Sequence, residues 1–156
     1  MRLALYQPDI PQNTGTIIRL CACLGIPLDI IEPCGFAFSS RELKRAALDY
    51  GPLADVQRHR SWQTFRSAHS TNARIVLFTT KAPTSIYDFA FQENDTLMMG
   101  SEQSGVPEDV HKAADSRVTI PMLPAARSLN IAIAAGIAVS EAGRQLAERA
   151  KADAVA

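Results

Sequence analysis

The sequence predicts one α/β domain, spanning residues 1–156, with a mostly parallel sheet flanked by helices. Short, mostly apolar runs recur at Arg2–Tyr6, Leu28–Ile31, Arg74–Thr79, Thr96–Met99 and Arg117–Ile120, the length and pattern of strands buried on both faces. Helix-forming segments with capping residues separate these runs, which is the alternation that parallel sheets require. A length of 156 residues suits one domain with a proper core, and no repeat, low-complexity stretch or linker divides it.

The elements follow in order. Pro8 and Pro11 end the first strand. Asn13 is expected to cap a helix whose apolar face carries Ile17, Ile18, Leu20, Cys21 and Leu24, with Gly25 as its stop. The second strand closes at Glu32–Gly35. Ser39 with Glu42 reads as a capping box opening a basic helix through about Leu48. A strand follows near Asp55–Arg58, then a short helix capped by Ser61 and running through Phe65. The Thr96–Met99 strand feeds into the loop Gly100–Gly105, and Pro107 opens a short helix with Glu108 and Asp109 in its first turn. After the last strand, Pro121 and Pro124 hold the chain extended around Met122 and Leu123. Ser128 is expected to cap a helix from Leu129 whose first four turns are apolar or small, hence buried on every side. The tail after Arg149 is expected to fray.

Formal net charge is zero, which excludes a generally basic nucleic-acid protein and leaves any anionic partner to a local patch. The charge is uneven. Arg41–Arg74 carries seven Lys/Arg against three acids, whereas Asp88–Asp115 carries seven acids and only Lys112. Cys21, Cys23 and Cys34 lack the spacing of a metal site and read as buried reduced thiols; His59, His69 and His111 are scattered, so no metal is expected. With no signal peptide and no apolar run of membrane-spanning length, the chain reads as soluble and cytoplasmic.

Three segments carry candidate chemistry. In Asn13-Thr14-Gly15-Thr16-Ile17-Ile18-Arg19, Gly15 and Arg19 lie one helical turn apart, forming a notch beneath a guanidinium suited to a sugar hydroxyl or phosphate. The alternative is a surface arginine on an amphipathic helix. Gly100–Gly105 sits at the end of a strand, where α/β sheets hold ligands, and presents Glu102; the alternative is a plain strand-to-helix turn. Dinucleotide and triphosphate glycine motifs are absent. Finally Arg127, Ser128 and Asn130 set a cation, a hydroxyl and an amide at a helix start, which capping alone would also explain.

Together these segments resemble the three motifs of the SPOUT class of S-adenosylmethionine-dependent RNA methyltransferases, in the TrmH-like branch that methylates ribose 2′-hydroxyls. N-T-G-T-I-I-R is similar to the first motif, M-G-S-E-Q-S-G-V-P to the second and I-P-M-L-P-A-A-R-S-L-N-I to the third. Y-Q-P-D-I-P-Q-N-T-G, I-I-E-P-C-G-F and L-D-Y resemble the compact subfamily acting on the tRNA wobble nucleotide. Thr16 and Ala132 depart from residues common there. The resemblance implies a deep C-terminal trefoil knot, which periodicity cannot reveal. It also implies a homodimer with each site near the partner chain, and an anticodon stem-loop of tRNA as substrate. Cofactor contacts would fall on Phe78, Gly100, Gly105, Ile120, Ser128 and Leu129. Arg19 would act on the ribose hydroxyl, with Asn13, Glu102 and Asn130 orienting the site. Arg41, Lys44, Arg45 and Arg127 supply the cations for tRNA. The rival readings are methylation at another RNA site, and a nucleotide- or RNA-binding α/β module without catalysis.

Overall fold

A computed structural model of the chain describes residues 1–154. Its core is a six-stranded, wholly parallel sheet in the order β3-β2-β1-β5-β4-β6. The strands are β1 (Arg2–Tyr6), β2 (Leu28–Ile31), β3 (Val56–His59), β4 (Ile75–Phe78), β5 (Thr96–Met99) and β6 (Ser116–Val118). The helices are α1 (Pro11–Leu24), α2 (Arg41–Ala47), α3 (Trp62–Ala68), α4 (Glu108–Ala113) and α5 (Ile131–Asp153), with a 3-10 turn at Leu48–Leu53.

One face of the sheet presents Leu3, Leu5, Leu28, Val76, Leu97 and Met99 to α1, α2 and α5, through Ile17, Leu43 and Ala138 among others. The other presents Ala4, Ile31, Ile75, Leu77 and Met98 to Phe65 of α3 and Val110 of α4. Apolar residues on both sides of each central strand explain why the strand runs show no alternation. Polar pairs also lie along the sheet, among Arg2, Asp29 and His59 and between Arg74 and Asp95. There the Asp29 carboxylate accepts from Arg2 Nε (2.8 Å) and pairs with His59 Nε2 (2.8 Å), and Asp95 takes a two-pronged grip from Arg74 (2.8 Å each). These buried carboxylates are paired, as burial of charge requires.

Several expectations are corrected. Helix α1 starts at Pro11 rather than behind Asn13, because proline at the first helical position needs no N–H partner; this frees the Asn13 side chain. Ser40, not Ser39, caps α2, accepting from the Leu43 N–H at 3.2 Å. The cap of α5 is Asn130 rather than Ser128, since its carbonyl oxygen accepts from the N–H groups of Ala132 (2.9 Å) and Ile133 (3.4 Å). Nor is that helix buried on every side: Ala135, Ala138 and Ala142 are sealed, but Ile133 is 58% exposed and Leu129, just before it, 39%. Cys23 is exposed, whereas burial pushes the Cys21 thiol up to about 12 and Cys34 up to about 11. Helix α5 runs to Asp153; along it Gln145 donates to the Phe89 carbonyl (3.0 Å) and accepts from the Phe91 N–H (3.2 Å), while Arg149 reaches the Phe91 carbonyl. Residues 155–156 of the expected frayed tail lie outside the described residues.

Candidate active site

Strand order reverses at the centre of the sheet. From β1 the chain proceeds outward through α1 to β2, and from β5 it proceeds the other way through α4 to β6. Parallel sheets open a crevice at such a switch point, beyond the carboxyl ends of the strands. Here the crevice is a cavity of about 510 Å³, bordered by the segments that follow β1, β4, β5 and β6 and by the start of α5. That volume suits a ligand of nucleoside size.

Its walls include Asn13, Phe78, Gly100, Glu102, Gly105, Ile120, Arg127, Ser128, Leu129 and Asn130. Residues from three distant segments are thereby brought to one place. Four other candidates lie elsewhere: Arg19 and the α2 residues Arg41, Lys44 and Arg45 are all exposed, and none borders this cavity.

A chain of hydrogen bonds locks the segments together. Asn130 Nδ2 donates to Asn13 Oδ1 (2.9 Å), and Asn13 Nδ2 donates to Glu102 Oε1 (3.1 Å). The second oxygen, Glu102 Oε2, accepts from the Asp9 N–H at 2.8 Å. Asp9 Oδ2 in turn accepts from Ser101 Oγ (2.6 Å) and the Gln103 N–H (3.1 Å). Every amide and carboxylate in this relay has a named partner, so the loops after β1 and β5 and the cap of α5 hold a single relative geometry. Sequence reasoning gave Asp9 no role. Its place between Pro8 and Pro11 marks a turn residue, but its partners lie more than ninety positions away. Gly35 belongs with it, since a Cβ there would come within 3.0 Å of the Asp9 backbone.

Glycine shapes the floor. The loop Ser101–Gly105 closes on itself through two backbone hydrogen bonds of 2.9 Å, and a Cβ on Gly100 would lie 2.7 Å from the Gly105 backbone. Gly105 adopts φ +68°, a left-handed conformation, and a Cβ placed on it would meet nothing within 4 Å. Close by, His111 borders the cavity, and its Nε2 is the only buried side-chain nitrogen or oxygen without a partner among the described residues. Arg117 Nε donates to the His111 carbonyl (2.9 Å) and lies 3.3 Å from its Nδ1.

The notch predicted beneath Arg19 is already filled. A Cβ on Gly15 would come within 2.5 Å of Ala46 Cβ and 2.8 Å of the Leu43 carbonyl, so Gly15 exists to let α2 pack on α1. Arg19 instead lies over the Tyr50 ring, 5.1 Å from its centroid.

A parallel sheet with a glycine-floored crevice at its switch point, edged by an amide–carboxylate relay, defines an α/β protein built to hold a nucleoside-sized ligand against a polar rim. The chain belongs to the SpoU rRNA Methylase family, whose pattern matches residues 1–140. It is 52% identical over 150 residues to a tRNA (cytidine(34)-2'-O)-methyltransferase of Beijerinckia indica, spanning 96% of this chain and 94% of that one. A solved structure concerned with 2-OH methylation of C/U34 on tRNA superposes with a TM-score of 0.91 at 45% identity, covering 94% of this chain and 96% of the other. An AdoMet-bound rRNA methyltransferase from Sinorhizobium meliloti gives 0.84 at 28% identity, covering 93% of this chain and 56% of that one.

Proposed function

We propose that this chain transfers a methyl group from S-adenosylmethionine to the ribose 2′-hydroxyl of nucleotide 34, the wobble position, of tRNA. The observation that carries the reading is the meeting of Asn13, Glu102 and Asn130 at the edge of a backbone-walled cavity, in a chain 52% identical to an enzyme of that name.

The cavity fits the cofactor on features of this chain. Phe78, Ile120 and Leu129 offer apolar walls to an adenine, and Gly105, at φ +68°, borders the same space. S-adenosylmethionine supplies an electrophilic methyl group carried on a sulfonium. Among the described residues no cluster of His, Cys, Asp and Glu that would hold a metal is present, and the reading uses none.

Transfer requires an acceptor oxygen aligned with the methyl group and relieved of its proton. Arg19 is the anchor for that oxygen. A guanidinium stays charged at any working pH and makes a poor base, so its contribution is to stabilise the developing alkoxide while a substrate phosphate takes the proton. Arg19 does not border its own chain's cavity, which gives the second chain a purpose. In the homodimer we infer, Arg19 of one protomer faces the cavity of its partner. Exposed Leu24 on α1 and Ile133 on α5 supply apolar surface for that interface. The chain from Phe78 onward forms the trefoil knot implied by the family resemblance, and the enzyme works in the cytoplasm beside its tRNA.

Among the described residues no helix is long and apolar enough to cross a membrane. Labelled S-adenosylmethionine, incubated with the protein and bulk RNA from cells that lack it, tests the reading. Label is expected in the tRNA fraction; label confined to ribosomal RNA, or in neither, would contradict it.

A further inference from the structure

We infer that Tyr50 is a positioning residue for Arg19, holding its guanidinium at the angle the acceptor ribose requires. This rests on the reading of Arg19 as the cation on the acceptor side.

Arg19 is exposed on α1, and among the described residues its side chain makes no hydrogen bond or ion pair. A free arginine on a helix surface samples many rotamers, and ordering it for catalysis carries an entropy cost. The aromatic ring of Tyr50 removes that freedom, with the guanidinium carbon 5.1 Å from its centroid, inside the range of a cation–π contact. An aromatic face differs from a carboxylate in one respect that matters here. A carboxylate would neutralise the charge and occupy up to two of the five N–H donors, whereas an aromatic ring leaves the charge in place and takes no N–H donor by a conventional hydrogen bond. Elsewhere in this chain the structural arginines Arg2, Arg74 and Arg144 are all held by carboxylates. Among the described residues Arg19, like Arg66 over Trp62, has an aromatic ring and no carboxylate as its side-chain partner.

The backbone supports the same conclusion. Tyr50 sits on the 3-10 turn entered through Leu48, a non-glycine residue that adopts φ +50° and is 53% exposed. Leu48 adopts this left-handed conformation with more than half of its surface exposed. Its effect is to reverse the chain after α2 and return Tyr50 to the flank of α1. Strain retained without burial is a feature of functional segments.

Steady-state methylation of tRNA by Tyr50→Leu, Tyr50→Phe, Arg19→Ala and the Arg19→Ala/Tyr50→Leu pair tests this, with melting temperature and S-adenosylmethionine affinity recorded for each. Tyr50→Leu is expected to lower kcat by about tenfold, with melting temperature and cofactor affinity unchanged. Tyr50→Phe, which keeps the ring, should restore the rate to within about twofold, and the leucine change should cost nothing further once Arg19 is alanine. Three results would overturn the inference: a wild-type rate in Tyr50→Leu, an equal loss from Tyr50→Leu in both backgrounds, or failure of phenylalanine to rescue. If Arg19→Ala itself turns over at the wild-type rate, the reading of Arg19 fails first, and this inference with it.

Discussion

The Asn130 carboxamide caps α5 through its oxygen and donates to Asn13 through its nitrogen, so one side chain ties the helix start to the loop after β1. Glu102 does the same for the loop after β5, accepting from both Asn13 and the Asp9 backbone. The polar types in the three motifs were legible because a helix start and a glycine-flanked carboxylate are local signals. Asp9 was not, since nothing near it in sequence shows that it will accept from Ser101 and Gln103. Gly15 was misread for the same reason: a missing side chain looks like a ligand notch until Ala46 is seen filling it. Two outcomes are expected at this scale. Gly100→Ala drives a Cβ into the Gly105 backbone at 2.7 Å, where neither partner can yield, so calorimetry should show cofactor binding abolished while the circular dichroism of the fold persists. Arg19→Ala should lower turnover by about 10² or more, the cost of one preorganised stabilising donor, with cofactor affinity almost unchanged. Equal loss of both would make Arg19 a cofactor ligand or a structural residue.

Helix α2 packs on α1 through the space that Gly15 leaves, and it turns Arg41, Lys44 and Arg45 outward. Among the described residues none of these three side chains makes an ion pair or hydrogen bond. Of the segment's other cations, Arg58 pairs with Glu32 and lies over Phe38, and Arg74 is held by Asp95; Arg66 lies over Trp62, and Arg60 is exposed without an ion pair. Three of the five cations of this segment without a carboxylate partner thus lie together on α2. A Lys44→Glu, Arg45→Glu double variant should bind S-adenosylmethionine normally and fail to methylate tRNA. The salt dependence of its tRNA binding should flatten by about 0.7–0.9 log units for each phosphate it no longer neutralises. Methylation at the wild-type rate across low and moderate salt would remove α2 from the tRNA surface. Strands β1, β2 and β5 were legible to the residue because an apolar run between turn signals has few other solutions. Caps were less so. Ser39 competes with Ser40, and Ser128 with Asn130, and only packing decides which side chain meets the free N–H groups. The segment between β4 and β5 was missed altogether: it buries Ile86 and Phe91 completely with almost no regular structure, so no period announces it.

In the whole molecule, alternating strands and helices specified a parallel sheet, but not the order β3-β2-β1-β5-β4-β6 that opens the crevice between β1 and β5. That order arises from packing between segments far apart in sequence, and local pattern carries no trace of it. Arg19 does not border the cavity of its own chain, and the proposed role of Arg19 therefore calls for a second chain. Heterodimers provide the check. A chain carrying Arg19→Ala, reassociated with a cofactor-dead chain carrying Ser128→Trp, should recover about a quarter of the wild-type rate. Random pairing makes half the dimers mixed, each with one complete site. No recovery would place Arg19 and the cofactor of a working site on the same chain. The acceptor atom is the central claim, and mass spectrometry of tRNA fragments after reaction with labelled S-adenosylmethionine reads that atom directly. The expected result is a single methyl group on the ribose of nucleotide 34, absent when Arg19 is alanine; a methyl group on a base, or on the ribose of any other nucleotide, would contradict it.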